Sequence, residues 1–97
     1  MNKIEIMFID YEIKIGGVCL YPKIIAKRYL EECSKEDIAV LGIDGFYLKN
    51  NTIEPSLANS IDFTSSSFLL KCSNIYVEGL AFLEKCDTQF FEIIVKE

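Results

Sequence analysis

The sequence predicts an α+β fold in which about three helices cover a small mixed or antiparallel sheet of three to four strands. Two kinds of segment lead to this class: some repeat apolar residues at helical spacing, and others are runs of β-branched and aromatic residues. The two kinds do not alternate strictly, which separates the chain from doubly wound folds. We expect residues 1–97 to form one domain, in the order helix, helix, strand, strand, a further candidate strand, helix, strand.

The first segment, residues 3–15, fits two structures. Its apolar residues fall on one helix face, Asn2 and Glu5 have the spacing of a capping box, and Gly16 suits the left-handed residue that ends a helix. Residues 4–8 also show the alternation of a strand. The signals at both ends favour the helix, and residues 18–20 would then be a short apolar link.

The second helix is predicted from Lys23 to Cys33, because Pro22 suits a first helical position and apolar residues line one face. That face consists of Ile25, Tyr29, Leu30 and Cys33. A third helix is predicted from Ser65 or Ser66 to about Lys85, with Gly79 in its interior. Since glycine weakens a helix by about 1 kcal/mol relative to alanine, we expect Gly79 to pack closely on a neighbour.

The strands are predicted at residues 38–41 and 46–48, then at 52–54 after an Asn50-Asn51 turn, with residues 60–63 as a candidate edge strand. Pro55 is expected to end the returning strand. Gly42 and Gly45 stand on either side of Asp44, which indicates a bulge or a close backbone approach.

The terminal segment 89–95 is predicted to be a strand, because aromatic and β-branched residues dominate it. Two places are open to it. It lies in the centre of the sheet, or it forms an exposed edge through which two copies of the chain pair as a homodimer.

Composition excludes several functions. The chain has no His, which removes Ser-His and Cys-His nucleophiles and His-based metal sites. Its net charge of −5 argues against nucleic-acid binding, which needs a basic surface. No glycine-rich phosphate loop is present, and paired acids such as Glu31-Glu32 fit solvated helix faces better than a cation site. We therefore expect no catalysis, no cofactor and no metal.

The four cysteines, at positions 19, 33, 72 and 86, form no C-x-x-C pair. The acids Glu5 and Asp10 interrupt what would be the apolar part of an export signal, and no segment is long enough to span a bilayer. We expect packed, reduced thiols in a cytoplasmic protein without a membrane partner.

Four residues around the predicted hairpin are the candidate partner-binding set: Asp44, Tyr47, Glu54 and Asp62. Most acids of the chain lie on predicted helix faces with lysines nearby, whereas the three acids of this set have only Lys49 close in sequence. Tyrosine is favoured in protein interfaces, and Tyr47 is placed near the turn. If the negative charge has a function, we expect it to act here.

The same region carries a family resemblance. Residues 38–47 (IAVLGIDGFY), followed by a turn, Ile53–Ser56 and Asn59, resemble the small bacterial immunity proteins of the immunity protein 40 family. In that family a strand ends in Leu-Gly-Gly-Asp-Val-Tyr, and an Asn-Trp pair precedes a helix and a strand. Here Ile43 replaces the second glycine, and Ser60 stands where the tryptophan would be.

The resemblance implies a protein that binds the toxin domain of a delivered bacterial protein and occludes its active site. Many such toxins are nucleases, and an acidic inhibitor would be steered toward a basic substrate groove. The alternative is a small ligand-binding or regulatory domain, with Asp44 and Tyr47 lining one cavity between the last helix and strand. A shallow acidic surface favours the first function and a large apolar cavity favours the second.

Overall fold

The structure is a computed structural model that describes residues 2–64 and 72–96. It has the predicted α+β class. The helices are α1 (Lys3–Met7), α2 (Lys23–Lys35) and α3 (Cys72–Lys85), with a short 3₁₀ turn at Ile9–Tyr11. The strands are β1 (Ile13–Ile15), β2 (Val18–Pro22), β3 (Val40–Lys49), β4 (Thr52–Asp62) and β5 (Phe90–Val95). They form one sheet in the order β1-β2-β5-β3-β4, and every pair is antiparallel.

The first segment is the main error of the sequence prediction. Asn2 caps α1 as expected, since its Oδ1 accepts a hydrogen bond from the Glu5 amide at 2.8 Å, but the helix ends at Met7. Residues 13–20 form the hairpin of β1 and β2, and Gly16 and Gly17 take positive φ angles of 58° and 80° in its turn. Two glycines between β-branched residues favour a tight hairpin over a helix end.

Strand β4 is also longer than predicted. The segments 52–54 and 60–63, expected as separate strands, belong to one strand that continues through Pro55. Proline is tolerated there because β4 lies at the edge of the sheet, where its missing N–H costs no ladder bond. The predicted segments 38–41 and 46–48 likewise join into β3.

The turn between β3 and β4 is the one predicted. Asn50 and Asn51 have positive φ angles of 49° and 65°, and the Thr52 hydroxyl donates to the Lys49 carbonyl at 2.6 Å. Asparagine tolerates this left-handed backbone better than most residues. The register of β3 with β4 is therefore fixed at the turn, with Tyr47 opposite Glu54.

The core lies between the helices and one face of the sheet. All four predicted core residues of α2 are buried in it, and Ile43 of β3 and Phe91 of β5 join them. Gly79 makes the predicted close approach, because a Cβ there would lie 2.8 Å from Leu30 Cδ1. Helices α2 and α3 therefore meet at this glycine.

The last strand takes the central of its two predicted places. Both edges of β5 are paired, one with β2 and the other with β3, so two copies of the chain cannot associate through it. The predicted start of the third helix at Ser65 or Ser66 lies outside the described residues. Within residues 2–64 and 72–96, no helix is both long enough and apolar enough to cross a membrane.

Candidate functional site

The four predicted site residues divide between the two faces of the sheet. Tyr47 and Glu54 are directly opposite each other on β3 and β4, so their side chains share a face. Asp44 is an odd number of residues from Tyr47 and therefore lies on the other face, where it lines a groove with Asp62. Asp44 and Tyr47 therefore lie on opposite faces of the sheet and do not line one cavity.

Tyr47 belongs to a polar cluster that joins three parts of the chain. Its hydroxyl donates to Asp87 Oδ1 at 2.9 Å, and the Asn59 amide donates to the same oxygen at 2.8 Å. These two bonds favour the carboxylate, so they lower the pKa of Asp87. The bond to Asp87 is also the main reason that the pKa of Tyr47 is raised. The exposed Asp87 is thus held ionised at neutral pH.

A bulge in β4 brings Asn59 to this cluster. Asp44 pairs with Ser60 but the next residue, Gly45, pairs with Ser56, so the three residues 57–59 have no partner in β3. The Asn59 amide also donates to Ser56 Oγ at 3.0 Å, and the Ser60 hydroxyl donates to the Ser56 carbonyl at 2.8 Å. Ser56 and Asn59 are buried, so the bulge is held by polar contacts inside the protein.

Gly45 allows the cluster to form, which confirms the predicted close approach of the backbone. A Cβ at this position would lie 2.5 Å from Thr88 Oγ1, 2.7 Å from the Asn59 carbonyl oxygen and 2.8 Å from Asn59 Cβ. Any side chain larger than hydrogen would displace them. Thr88 itself is fully buried, and its hydroxyl is the one buried side-chain polar atom without a hydrogen-bond partner in the described part of the chain.

Leu57 is the first residue of the bulge, and it points its side chain into solvent. It is 92% exposed, more than any other large apolar residue that the structure describes. Its neighbour Ser56 is buried, so the exposure begins abruptly within one residue. Leu57 is therefore an exposed apolar side chain on an edge-strand bulge that buried polar contacts hold in place.

The opposite face carries a second group of acids. Asp44 and Glu92 face each other across β3 and β5, and Asp62 lies near Asp44 in an open groove of about 350 Å³. Burial and, to a smaller extent, the charge of Asp44 raise the pKa of Glu92. Asp62 accepts hydrogen bonds from the amide and hydroxyl of Thr64, and these bonds lower its pKa.

The salt bridges among the described residues all lie outside residues 40–64 and 86–95. Lys3, Lys14, Lys27 and Lys35 neutralise acids on the helices and beside β1. Residues 40–64 and 86–95, which include β3, β4 and β5, contain a single lysine, Lys49. None of their acids takes part in a salt bridge with a described residue. We call these five acids the acidic sheet region: Asp44, Glu54, Asp62, Asp87 and Glu92.

A different cluster, which the sequence prediction missed, surrounds the Glu12 side chain near β1. That carboxylate is 2% exposed, and it accepts hydrogen bonds from the Cys19 thiol at 2.9 Å and the Tyr21 hydroxyl at 3.3 Å. Lys14 lies 3.5 Å from it. Burial, followed by the bond to Glu12, raises the pKa of Cys19 to about 11. The cluster ties the chain before β1 to β2.

The same cluster contains the described donor atoms that come close enough together to hold a metal ion. One ligand atom each from Glu5, Glu12 and Cys19 lies within 4.8 Å of the others. In the structure, however, both oxygens of Glu12 accept hydrogen bonds, one from the Cys19 thiol and one from the Tyr21 hydroxyl. The arrangement therefore serves as an internal hydrogen-bond network.

Sequence reasoning missed Asp87 and Thr88, although it placed Asn59 in the family resemblance and predicted the crowding at Gly45. The sequence did contain a signal: the polar pair Asp87-Thr88 lies between the predicted third helix and the apolar terminal strand. In comparisons with known proteins, no family model and no curated protein matches this sequence.

Proposed function

We propose that this protein is an immunity protein, which binds the toxin domain of a bacterial protein in the cytoplasm and occludes its active site. The observation that carries the proposal is the acidic sheet region, whose carboxylates lack salt bridges among the described residues. These carboxylates lie on both faces of the sheet, with Glu54 beside Tyr47 on one face and Asp44 on the other. Leaving them without salt bridges favours binding to a basic partner over stability of the free protein.

The distribution of charge supports a protein partner with a basic surface. Lys3, Lys27 and Lys35 of the helices pair with acids outside this region. Residues 40–64 and 86–95 hold five acids and one lysine, a net charge of −4 out of the −5 of the whole chain. Such a field accelerates encounter with a basic groove, and several nuclease active sites have this character because they bind phosphates. A nuclease toxin is therefore the partner that we propose.

The acidic sheet region offers recognition rather than chemistry. The Asp87 carboxylate is held ionised by two donors, and the Tyr47 hydroxyl is held protonated by its bond to Asp87. Neither group is therefore ready to exchange a proton at neutral pH. The sequence resemblance to the immunity protein 40 family points in the same direction, and we propose a role without catalysis.

The direct test is rescue of growth. The proposal predicts a gene for a large secreted protein directly upstream of this chain's gene. The probe is the carboxy-terminal domain of that protein, expressed from an inducible promoter in a sensitive bacterium. Co-expression of this protein is expected to restore growth, and co-expression of an equally abundant Glu54→Lys, Asp87→Lys variant is expected to restore it poorly. No rescue by the wild-type protein would overturn the proposal.

The alternative of a ligand-binding domain has its own readout. The groove beside Asp44 and Asp62 is the place for such a ligand, since Tyr47 lies on the other face. If the protein were a regulatory domain, it would fail to rescue growth and would bind a small cation or basic metabolite at Asp44. Calorimetry with spermidine as the probe distinguishes the two functions.

A further inference from the structure

The sheet has a second face, turned away from the helices, and the strand register fixes which residues lie on it. Ile43 and Ile93 are buried in the core, so their neighbours in sequence lie on the opposite face. There Gly42 pairs with Asp62 on one side and with Ile94 on the other. Because directly paired residues share a face, these three form one row across β4, β3 and β5.

The next row on this face carries two acids opposite each other. Asp44 pairs with Glu92 across β3 and β5, and with Ser60 of β4. Like charges in direct cross-strand pairs destabilise a sheet, and no described lysine compensates them. Lys49 and Lys96 are the nearest in sequence, and neither forms a salt bridge with a described residue. A cation bound beside these acids would relieve the repulsion.

Two carboxylates in the rows have capacity for further hydrogen bonds. The amide and hydroxyl of Thr64 both donate to Asp62 Oδ1, which leaves Oδ2 without a donor among the described residues. Within the same part of the chain, no group donates to the Asp44 carboxylate. Gly42 has no side chain to fill the space between Asp62 and Ile94. These residues therefore line the open groove of about 350 Å³.

The spacing of the acids favours an organic cation over a metal ion. A metal ion needs ligand atoms that converge, and Asp44, Asp62 and Glu92 are not among the described residues that bring three such atoms within 4.8 Å of one another. A guanidinium group is broader, and its five N–H donors can reach two separate carboxylates. Its alkyl stem also suits an apolar neighbour such as Ile94. The groove therefore fits an arginine side chain.

The openness of the groove favours an arginine that belongs to a protein. Small-molecule pockets bury most of their ligand's surface, whereas this groove lies open on a sheet. An arginine on a folded partner gains its remaining contacts from the interface around it. A second copy of this chain is not suited to the site, because a symmetric contact would bring Asp44, Asp62 and Glu92 against the same acids.

We propose that the groove beside Asp44 and Asp62 binds an arginine side chain of the toxin domain, whose guanidinium pairs with both carboxylates while its stem packs on Ile94. The proposal rests on the proposed immunity function and divides the acidic sheet region into two parts. The acids of this face make the contact, and Glu54 and Asp87 contribute to the field that guides association. Desolvated charge pairs act mainly on the dissociation rate, and peripheral charges act on the association rate.

The experiment compares wild type with the double variant Asp44→Asn, Asp62→Asn and with a matched control, Asp10→Asn, Asp37→Asn. All four substitutions remove a charge and keep the size of the side chain. Asp10 and Asp37 are exposed, and neither has a salt bridge among the residues described. The probe is a catalytically inactive form of the toxin domain encoded upstream, immobilised for surface plasmon resonance. Circular dichroism establishes that each variant is folded.

We expect the double variant of the groove to raise the Kd about a hundredfold, mainly through faster dissociation, since loss of one partner from a desolvated charge pair has an effect of this order. The control should bind within about threefold of wild type, because exposed distant charges are screened by salt. Wild-type affinity in the groove variant would overturn the groove and leave the immunity function standing. Failure of the wild-type protein to bind would overturn both.

A second variant tests the groove with all of its acids in place. Ile94→Arg places an arginine of this chain beside Gly42, where it competes for the same carboxylates. Ile24→Arg adds the same charge at an exposed position on α2 and serves as its control. We expect Ile94→Arg to weaken binding at least about tenfold more than the control does. Equal effects of the two would contradict the proposal.

The identity of the occupant is tested on the toxin domain. Each of its arginines is replaced in turn by methionine, and every variant is measured against wild type and against Asp44→Asn, Asp62→Asn. One arginine is expected to matter for binding to wild type and to have little further effect on binding to the double variant, which is the signature of a direct pair. Such coupling to a lysine, or to no basic residue, would show that the proposed occupant is wrong.

Discussion

The hydroxyl of Tyr47 donates to Asp87 Oδ1 at 2.9 Å, and this bond joins the end of β3 to the segment between α3 and β5. Because the Asn59 amide donates to the same oxygen, one carboxylate organises a strand, a bulge and a connection that are far apart in sequence. The candidate interaction surface is therefore fixed by tertiary contacts.

The first prediction concerns the titration of Tyr47. Its bond to a carboxylate favours the protonated phenol, so Asp87→Ala should lower the pKa of Tyr47 toward its ordinary value. The stabilising contribution of Tyr47 is present below the ordinary tyrosine pKa and is lost as pH rises through the raised value. Carbon-13 NMR of labelled tyrosine follows the change, with Tyr47→Phe to assign the resonance. An unchanged pKa in Asp87→Ala would contradict the bond.

The second prediction concerns the two closely packed glycines. Gly45→Ala should destabilise the protein by about 2–3 kcal/mol, since its Cβ would meet the backbone carbonyl of Asn59. Gly79→Ala should cost less than about 1 kcal/mol, because the contacted atom is the end of the Leu30 side chain and alanine favours a helix. Urea denaturation measures both. Equal losses would show that the crowding at Gly45 is not specific.

The third prediction concerns the buried hydroxyl of Thr88. Among the described residues this oxygen has no hydrogen-bond partner, so it is desolvated without compensation. Thr88→Val keeps the shape and removes the polar atom, and it should raise the free energy of unfolding by about 1 kcal/mol. Thr88→Ser, which keeps the hydroxyl and removes the methyl group, is the control and should destabilise. A loss of stability in Thr88→Val would indicate that the hydroxyl is bonded in solution.

The fourth prediction concerns Glu92, whose pKa is raised by burial and by Asp44. A raised carboxyl pKa means that the native state prefers the protonated form, so the stability linked to Glu92 is present at low pH and is lost as pH rises through the raised value. Glu92→Gln should therefore stabilise the protein at pH 7 by about 0.5 kcal/mol, in the range of a cross-strand charge pair. The gain should disappear near pH 4. A gain that is independent of pH would contradict this origin.

The sequence predicted the elements whose signals are local. The apolar face of α2, the Asn50-Asn51 turn and the β-branched strand β5 depend on patterns within a dozen residues, and all three are present. The prediction of a helix over residues 3–15 was wrong in its length. Asn2 caps a helix as predicted, but that helix has only five residues. A glycine such as Gly16 suits the end of a helix, but together with Gly17 it fits a hairpin turn equally well.

The candidate site could be predicted only in part, because its residues meet through the fold. Tyr47 and Glu54 follow from the hairpin register, and the spacing of Gly42 and Gly45 predicted a bulge or close approach. The partnership of Asn59 with Asp87 depends on the length of the bulge and the path of the chain after α3. No spacing within the sequence contains that information.

The most direct test of the central claim is the association rate of the toxin domain with this protein at low and high salt, measured by stopped flow. Steering by the acidic sheet region predicts that Glu54→Lys, Asp87→Lys slows association at least about tenfold at low salt and reduces its salt dependence. The matched control Glu31→Lys, Glu36→Lys makes the same charge change on and just after α2 and should have a much smaller effect. Equal slowing by both pairs would contradict the claim, because net charge alone would then account for binding.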